Sequence, residues 1–292
     1  MPDAAEPNPT VARRRLAVRL RKLREEHGRG LEDLATFLRV ALPQASRLDT
    51  GARGFPARQV VKLADWYRLT DSDRAELLVL VAESRKRAWW QQVELADSYR
   101  TLIGMEQVAT SINEYGSSVV PGLLQTGDYA RASAGGDTLG DESTPEAIEG
   151  AAQIRIRRQQ VLDRREPPVL RVVIDEAVLA RRVGGRHVMG AQLAHLEEMS
   201  TRPGVSIQVI GFDVGAYPYC SRGHYILVQL EGGLPDVLYR ESIAEPEDTS
   251  DEATLAAYWR VWEQVRARAL DRYASRSLIR EYRSMLDQPR SG

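Results

Sequence analysis

Gln44 and Arg47 stand three residues apart in the string Ala41-Leu42-Pro43-Gln44-Ala45-Ser46-Arg47-Leu48-Asp49-Thr50-Gly51, a spacing that puts both on one face of a helix. Glutamine can bridge N6 and N7 of adenine, arginine can bridge O6 and N7 of guanine, and each such pairing discriminates between bases by ~1–3 kcal/mol. Pro43 suits the first turn of that helix, where a missing N–H costs nothing. Leu42 just ahead of it can meet a thymine methyl, while Ala45 and Leu48 turn inward. Leu42, Pro43, Gln44 and Arg47 are therefore the candidate base-reading set. Arg29, Ser46, Arg53 and Arg58 sit at the ends of neighbouring segments and are candidate phosphate contacts, which set register without reading sequence. Such chemistry calls for double-stranded DNA as a partner.

Other residue types bear on catalysis or ligand binding. Asp175 and Glu176 form an acidic pair at a strand-to-helix junction, but adjacent side chains diverge, and Asp175 has the place of a helix N-cap. His187 and His195 are two helical turns apart with Glu197 and Glu198 nearby, too far for one metal without a further ligand. Cys220, the only cysteine, follows Tyr217-Pro218-Tyr219 with no adjacent histidine to activate it. No GxSxG or GxxxxGK[ST] string is present, so the expectation is a chain without catalytic residues, cofactor or metal. The segment Pro121–Arg131 is the candidate ligand or partner site: Gly122 and Gly127 permit close backbone approach, and Gln125, Asp128 and Arg131 offer polar groups. Asp175 joins Pro121, Gln125, Asp128 and Arg131 in that set. Trp89 and Trp90 are the candidate domain joint or dimer contact.

The elements that must hold these residues follow from periodicity. Leu16, Leu20 and Leu23 make one apolar face of a first helix, closed by Gly28. Leu31, Leu34, Ala35 and Leu38 make a short second helix, and the segment from Pro43 to Asp49 a third. Val60, Val61, Ala64 and Tyr67 mark a fourth, and Leu77, Leu78 and Val81 a fifth. A short helix, a tight turn and another short helix is the arrangement that projects one helix into a major groove. Charge agrees: residues 11–70 hold 14 basic against 6 acidic side chains, and the remainder 26 against 35, although the whole chain is only −1. A basic first quarter on an acidic body points to one end that meets a polyanion.

Downstream, Leu102–Ile112 reads as a helix and Glu114–Val120 as an extended segment. A long helix over Pro145–Asp163 follows, with strands at Val169–Ile174, Val205–Ile210, Tyr225–Leu230 and Val237–Tyr239. Helices at Met189–Met199, Ala253–Leu270 and Ser275–Leu286 complete the pattern. The 292 residues thus divide into a disordered lead-in (1–10), a DNA-binding domain (11–83), a helical linker (84–100) and an effector or partner-binding domain (101–287). The fold class is a mainly α five-helix domain followed by an α+β domain with a small sheet of about four strands. No apolar run approaches the ~18 residues of a membrane span, the first ten residues lack a signal-peptide core, and a lone cysteine suits a reducing cytoplasm.

Leu31-Glu32-Asp33-Leu34-Ala35 with Ala45-Ser46-Arg47-Leu48-Asp49-Thr50-Gly51 resembles the XRE (Cro/C1-type) helix-turn-helix family over about residues 13–82, which implies a lambda-repressor-like five-helix fold. Two departures stand out. Ala41 replaces the usual Ser cap of the recognition helix, a bond worth ~1 kcal/mol, and Leu42-Pro43 replace polar residues. Over about residues 98–280 the chain resembles the effector domain that commonly follows an XRE motif in actinobacterial regulators. Val120-Pro121-Gly122-Leu123-Leu124-Gln125-Thr126, Tyr129-Ala130-Arg131, Ile174-Asp175-Glu176-Ala177, Val183-Gly184-Gly185 and Val205-Ser206-Ile207-Gln208-Val209-Ile210 carry that likeness. It implies an antitoxin-like regulator, often encoded beside a small companion protein, whose effector domain has no established enzyme activity. The expectation is a cytoplasmic homodimer on an inverted-repeat operator, tuned by a small molecule or companion protein. Two rivals are an antitoxin-like protein that chiefly sequesters its companion and a helix-turn-helix fused to an unrecognised hydrolase, in which Asp175 or Glu176 would act.

Overall fold

A computed structural model describes residues 7–93, 95–137, 144–221, 223–241 and 247–287. These fall into two compact units, one running to Val108 and including Glu231–Pro235, the other taking the rest from Ala109.

In the first unit, α1 (Pro9–Glu26) starts on Asn8, whose Oδ1 accepts from the Val11 N–H at 3.1 Å. The described residues therefore enter helix at Pro9, inside the expected lead-in; residues 1–6 of that lead-in lie outside the described residues. α2 (Leu31–Leu38), α3 (Leu42–Asp49), α4 (Ala57–Trp66) and α5 (Asp71–Glu83) follow in the expected order. Leu16, Leu20, Leu34, Leu48, Phe55, Val60, Leu63, Leu77 and Val81 close one core among them. Burying each of these side chains contributes ~1.5–3 kcal/mol.

The expected linker is different in kind. Trp89–Gln91 is a single 3-10 turn, and α6 (Asp97–Glu106) belongs to the first unit. Asn8 Nδ2 donates to Gly104 O at 2.7 Å. A Cβ on Gly104 would lie 2.6 Å from Thr10 Cβ, so α1 and α6 approach as closely as they do only because that residue is glycine. The boundary consequently falls after Val108 rather than at 100/101.

The second unit is α+β. Its elements are β1 (Ala109–Gly116), α7 (Gly127–Asp137), α8 (Pro145–Gln159), β2 (Val169–Asp175), α9 (Glu176–Ala180), α10 (Gly185–Met199), β3 (Val205–Ile210), β4 (Tyr225–Leu230), β5 (Val237–Arg240), β6 (Glu247–Thr249), α11 (Glu252–Arg268) and α12 (Arg272–Asp287). The strands form one sheet in the order β3-β2-β1-β4-β5-β6. β1, β2 and β3 run parallel, and β4, β5 and β6 add antiparallel neighbours. Tyr115, Val173, Leu227 and Leu238 share a core with Leu255, Tyr258, Trp262 and Val265 of α11. Residues of the opposite parity, Ile112, Val172, Ile174, Ile226 and Val228, are buried as well, so both faces are covered, as parallel strands require. The β3 edge is capped at Val209: Leu270 N donates to Val209 O at 2.8 Å and Val209 N donates to Ser275 Oγ at 3.0 Å, which pairs the two groups that residue would otherwise leave open.

Six strands replace the expected four or so. β1 was hidden because its central residues are polar yet buried: Ser111, Asn113 and Glu114 break any alternation of apolar and polar. Asn113 Nδ2 donates to Ser111 Oγ at 2.7 Å, and Arg171 Nη1 donates to Ser111 Oγ at 3.2 Å. Glu114 Oε1 lies 2.7 Å from His224 Nε2. β6, only three residues long, is too short to show a period.

Candidate nucleic-acid interface

The eight residues of α3 span about 12 Å, and their exposure divides them cleanly. Ala45 and Leu48 are 0% and 1% exposed, whereas Leu42 is 44% exposed. Pro43 and Arg47 are exposed as well, and Gln44 and Ser46 are half-buried. The helix starts on Ala41, which gives no side-chain cap, with proline in the first turn. Arg47 Nε donates to Pro43 O at 3.4 Å, so its guanidinium is steered back along the outer face toward the helix start. Of the four base-reading candidates, Leu42, Pro43 and Arg47 thus stand exposed on the N-terminal turn and the turn above it, and Gln44 is half-buried beside them.

The far end of α3 is clamped to α1, an arrangement the sequence reading missed. Arg24 Nε and Nη2 donate to Asp49 Oδ1 and Oδ2, both at 3.0 Å. Arg21 Nε donates to Asp49 Oδ2 at 3.1 Å, and Arg21 Nη2 to Asp49 O at 2.8 Å. Asp49 is buried, and its bond to Arg24 outweighs burial to raise that guanidinium's pKa above the ordinary arginine value. A bidentate arginine–carboxylate pair fixes orientation as well as distance. Arg24 Nη1 also donates to Arg29 O at 2.9 Å, tying in the loop before α2. Gly51 completes the exit: its φ is +75°, and a Cβ there would meet Ala17 Cβ at 3.2 Å and Arg14 Cα at 3.3 Å. The legible signal was two arginines three apart on α1 and a lone acid at the end of α3.

The phosphate candidates differ from one another. Arg53 and Arg58 are exposed, the latter in the first turn of α4. The Arg53 N–H donates to Arg47 O at 2.8 Å, which fastens the loop to the recognition helix. Arg29 is half-buried and its guanidinium lies 4.0 Å from the ring centroid of Trp66, which itself stacks on Phe37 at 4.1 Å. Its charge is engaged with an aromatic face in the free protein. Trp89 and Trp90 are both buried and pack edge to face at 5.7 Å.

In the second unit, Pro121 and Gln125 are buried, and Gln125 Nε2 donates to Val120 O at 2.7 Å. Asp128 and Arg131 lie outside, with Arg131 bonded to Asp128 at 2.8 Å and to Glu149 at 2.6 Å. Asp175 caps α9 by accepting from Ala177 N at 2.8 Å, and also accepts from the Tyr217 hydroxyl. The five ligand-site candidates therefore do not form one set: Asp128 and Arg131 pair on the outside, whereas Gln125 and Asp175 are each bonded to other partners. Glu176 accepts from Phe212 N at 2.6 Å and from the Tyr282 hydroxyl at 2.7 Å. On α10, Glu197 is held by Arg280 and Arg283 at 3.2 and 3.1 Å. Burial lowers the His195 pKa, and His187 is exposed. Among the described residues no group of three metal-ligating side chains occurs, and no helix is long and apolar enough to cross a membrane.

A family model described as a helix-turn-helix domain matches residues 15–77. A second, described as a domain of unknown function (DUF5753), matches residues 99–281. No curated protein and no solved structure matches.

Proposed function

The chain belongs to the family defined by the domain of unknown function DUF5753, with a helix-turn-helix domain ahead of it, and we propose that it is a sequence-specific transcription regulator. The observation that carries this reading is the exposure of Leu42, Pro43 and Arg47 on a helix whose other face and far end are fixed by Ala45, Leu48 and the Asp49 clamp. A major groove about 12 Å wide admits such a helix. In this reading Gln44 and Arg47 read base edges, Leu42 meets a thymine methyl, and Arg53 and Arg58 reach phosphates.

One helix of this length makes few base contacts, so the operator is read as an inverted repeat by a homodimer whose recognition helices lie about one DNA turn, ~34 Å, apart. The second unit tunes DNA affinity by binding a small molecule or companion protein with different strength in two states. The test is titration of fluorescent DNA from the chain's own promoter. Arg47→Ala is expected to lose ~1–3 kcal/mol of specific binding and relax the sequence preference. Arg53→Ala weakens binding to every sequence and lowers the salt slope by about one. Equal affinity of wild type and Arg47→Ala for the promoter overturns the assignment.

A further inference from the structure

Tyrosine rings from four parts of the second unit meet at one place. Tyr219 lies with its ring centroid 5.1 Å from Tyr225, 5.2 Å from Tyr258 and 6.5 Å from Tyr115, at interplanar angles of 83°, 67° and 84°. Its hydroxyl bonds to that of Tyr258, which also accepts from Arg240 Nη1 at 3.2 Å. Tyr115 and Tyr217 join hydroxyls at 2.7 Å, and Tyr217 donates to Asp175. The Tyr225 hydroxyl is fully buried and has no partner among the described residues. An orphaned buried hydroxyl forfeits a hydrogen bond it would have in water.

Tyr219 is held there against its backbone preference. Its φ is +72°; among the described residues the other non-glycine residues with positive φ, Arg39 and Arg68, lie at the C-terminal ends of α2 and α4, where the left-handed conformation is common. Tyr219 follows no helix; it is the third residue of the turn in which Cys220 N donates to Tyr217 O at 3.2 Å, behind Pro218, a place that calls for positive φ and suits glycine or asparagine rather than a tyrosine. Strain of this kind persists where the surroundings over-determine it, and it gathers at ligand sites.

We propose that the Tyr219 ring is a built-in stand-in for a ligand, and that the pocket it fills takes a small aromatic carboxylate. The ligand's ring replaces the Tyr219 ring among Tyr115, Tyr225 and Tyr258. Its carboxylate takes the place of the Tyr219 hydroxyl, accepting a hydrogen bond from the Tyr258 hydroxyl beside the Arg240 guanidinium, and its second polar end accepts one from the Tyr225 hydroxyl. Edge-to-face packing of aromatic rings supplies the remaining attraction. Burial raises the pKa values of Tyr219 and Tyr225, so both phenols keep their protons near neutral pH. The displaced Tyr219 relaxes to an unstrained backbone, which lowers what entry of the ligand costs. This pocket lies wholly in the second unit and does not depend on the first unit holding DNA.

The probe is 4-hydroxybenzoate, titrated calorimetrically into the full-length chain. Tyr219→Gly, which removes both the competing ring and the strain, is expected to bind it at least about tenfold tighter than wild type. In that background, Arg240→Gln and Tyr225→Phe are each expected to weaken binding about tenfold. A folded Tyr219→Gly that binds no 4-hydroxybenzoate at millimolar concentration overturns the proposal, as does binding that ignores both second substitutions. Should the glycine variant fail to fold, Tyr219→Phe decides: it keeps the ring but loses the bond to Tyr258, so tighter binding than wild type supports the pocket and equal binding overturns it.

Discussion

Replacing Asp49 with alanine removes three of the four bonds that Arg21 and Arg24 make to it, leaving the bond of Arg21 Nη2 to the backbone carbonyl. The two arginines lose unequally. Arg24 has a side chain 11% exposed, against 10% for Asp49, so it becomes a charge with little water to turn to. Arg21 is 37% exposed and relaxes into solvent, so its share is at most ~1 kcal/mol. Breaking a buried pair by deleting one partner costs ~3–5 kcal/mol. Arg24 keeps its bond to Arg29 O, and removing a negative charge from a helix C-terminus returns ~0.3–1 kcal/mol. The net expectation is about 3 kcal/mol, or roughly 10–20 °C in the melting of a unit this size. Calorimetric melting of the full chain reads the stability, and promoter titration below the melt reads the function. The clamp also orients α3, so specific DNA binding is expected to fall more than non-specific binding. A double-mutant cycle with Arg24→Ala isolates the pair. A loss of stability below about 1 kcal/mol, or a cycle with no coupling, refutes the argument that these residues position the recognition helix.

Gly51→Ala forces a side chain onto a φ of +75° and against Arg14 and Ala17; a loss of ~1–3 kcal/mol is expected in a urea titration. In the second unit, burial pulls the His224 pKa down, but its bond to Glu114 and that residue's charge outweigh it, and the net shift is upward. The pair's stabilisation is therefore complete below the unfolded value near ~6.5 and is lost as pH rises through the folded value. Melting curves taken from acid to alkaline pH are expected to show this fall in wild type and a flatter profile in His224→Gln. Salt dependence of promoter binding is expected to correspond to about two phosphates per protomer, a slope of roughly 1.8 in log–log form, and a slope more than twice that counts against the footprint assigned to Arg53 and Arg58.

How far the fold was legible depended on whether burial and polarity coincide. The stripe Leu16, Leu20, Leu23 and the inward pair Ala45, Leu48 are both apolar and buried, so the periodicity announced the five helices. Val205–Ile210 and Tyr225–Leu230 were equally open. β1 was not, because Asn113 and Glu114 are 1% exposed and are made tolerable by partners far away in sequence, including Arg171 and His224. A polar residue carries no mark of a partner more than a hundred positions downstream. α6 was misplaced for a related reason: its place is set by the absence of a side chain at Gly104, opposite Thr10, which no pattern of apolar residues records.

The basic count in the first quarter of the chain overstates the charge that its surface presents. Charge enters an electrostatic footprint only if it is free to meet phosphate, and several of these cations are already engaged inside the fold. Arg21 and Arg24 hold Asp49, Arg19 lies 3.4 Å from Asp73, and Arg29 covers Trp66. Exposed on or beside the recognition helix are Arg39, Arg47, Arg53 and Arg58. The arginines thus divide into those bonded to Asp49 and those left exposed beside α3, and composition does not divide them because each counts alike toward the charge of the first quarter. Only the position of Asp49, one acid at the end of an exposed helix, separates the two roles: it binds Arg21 and Arg24 inward and leaves Arg47 pointing out. Substituting the inward pair should change which sequences are bound, because the helix tilts, whereas substituting Arg53 or Arg58 should change only how tightly.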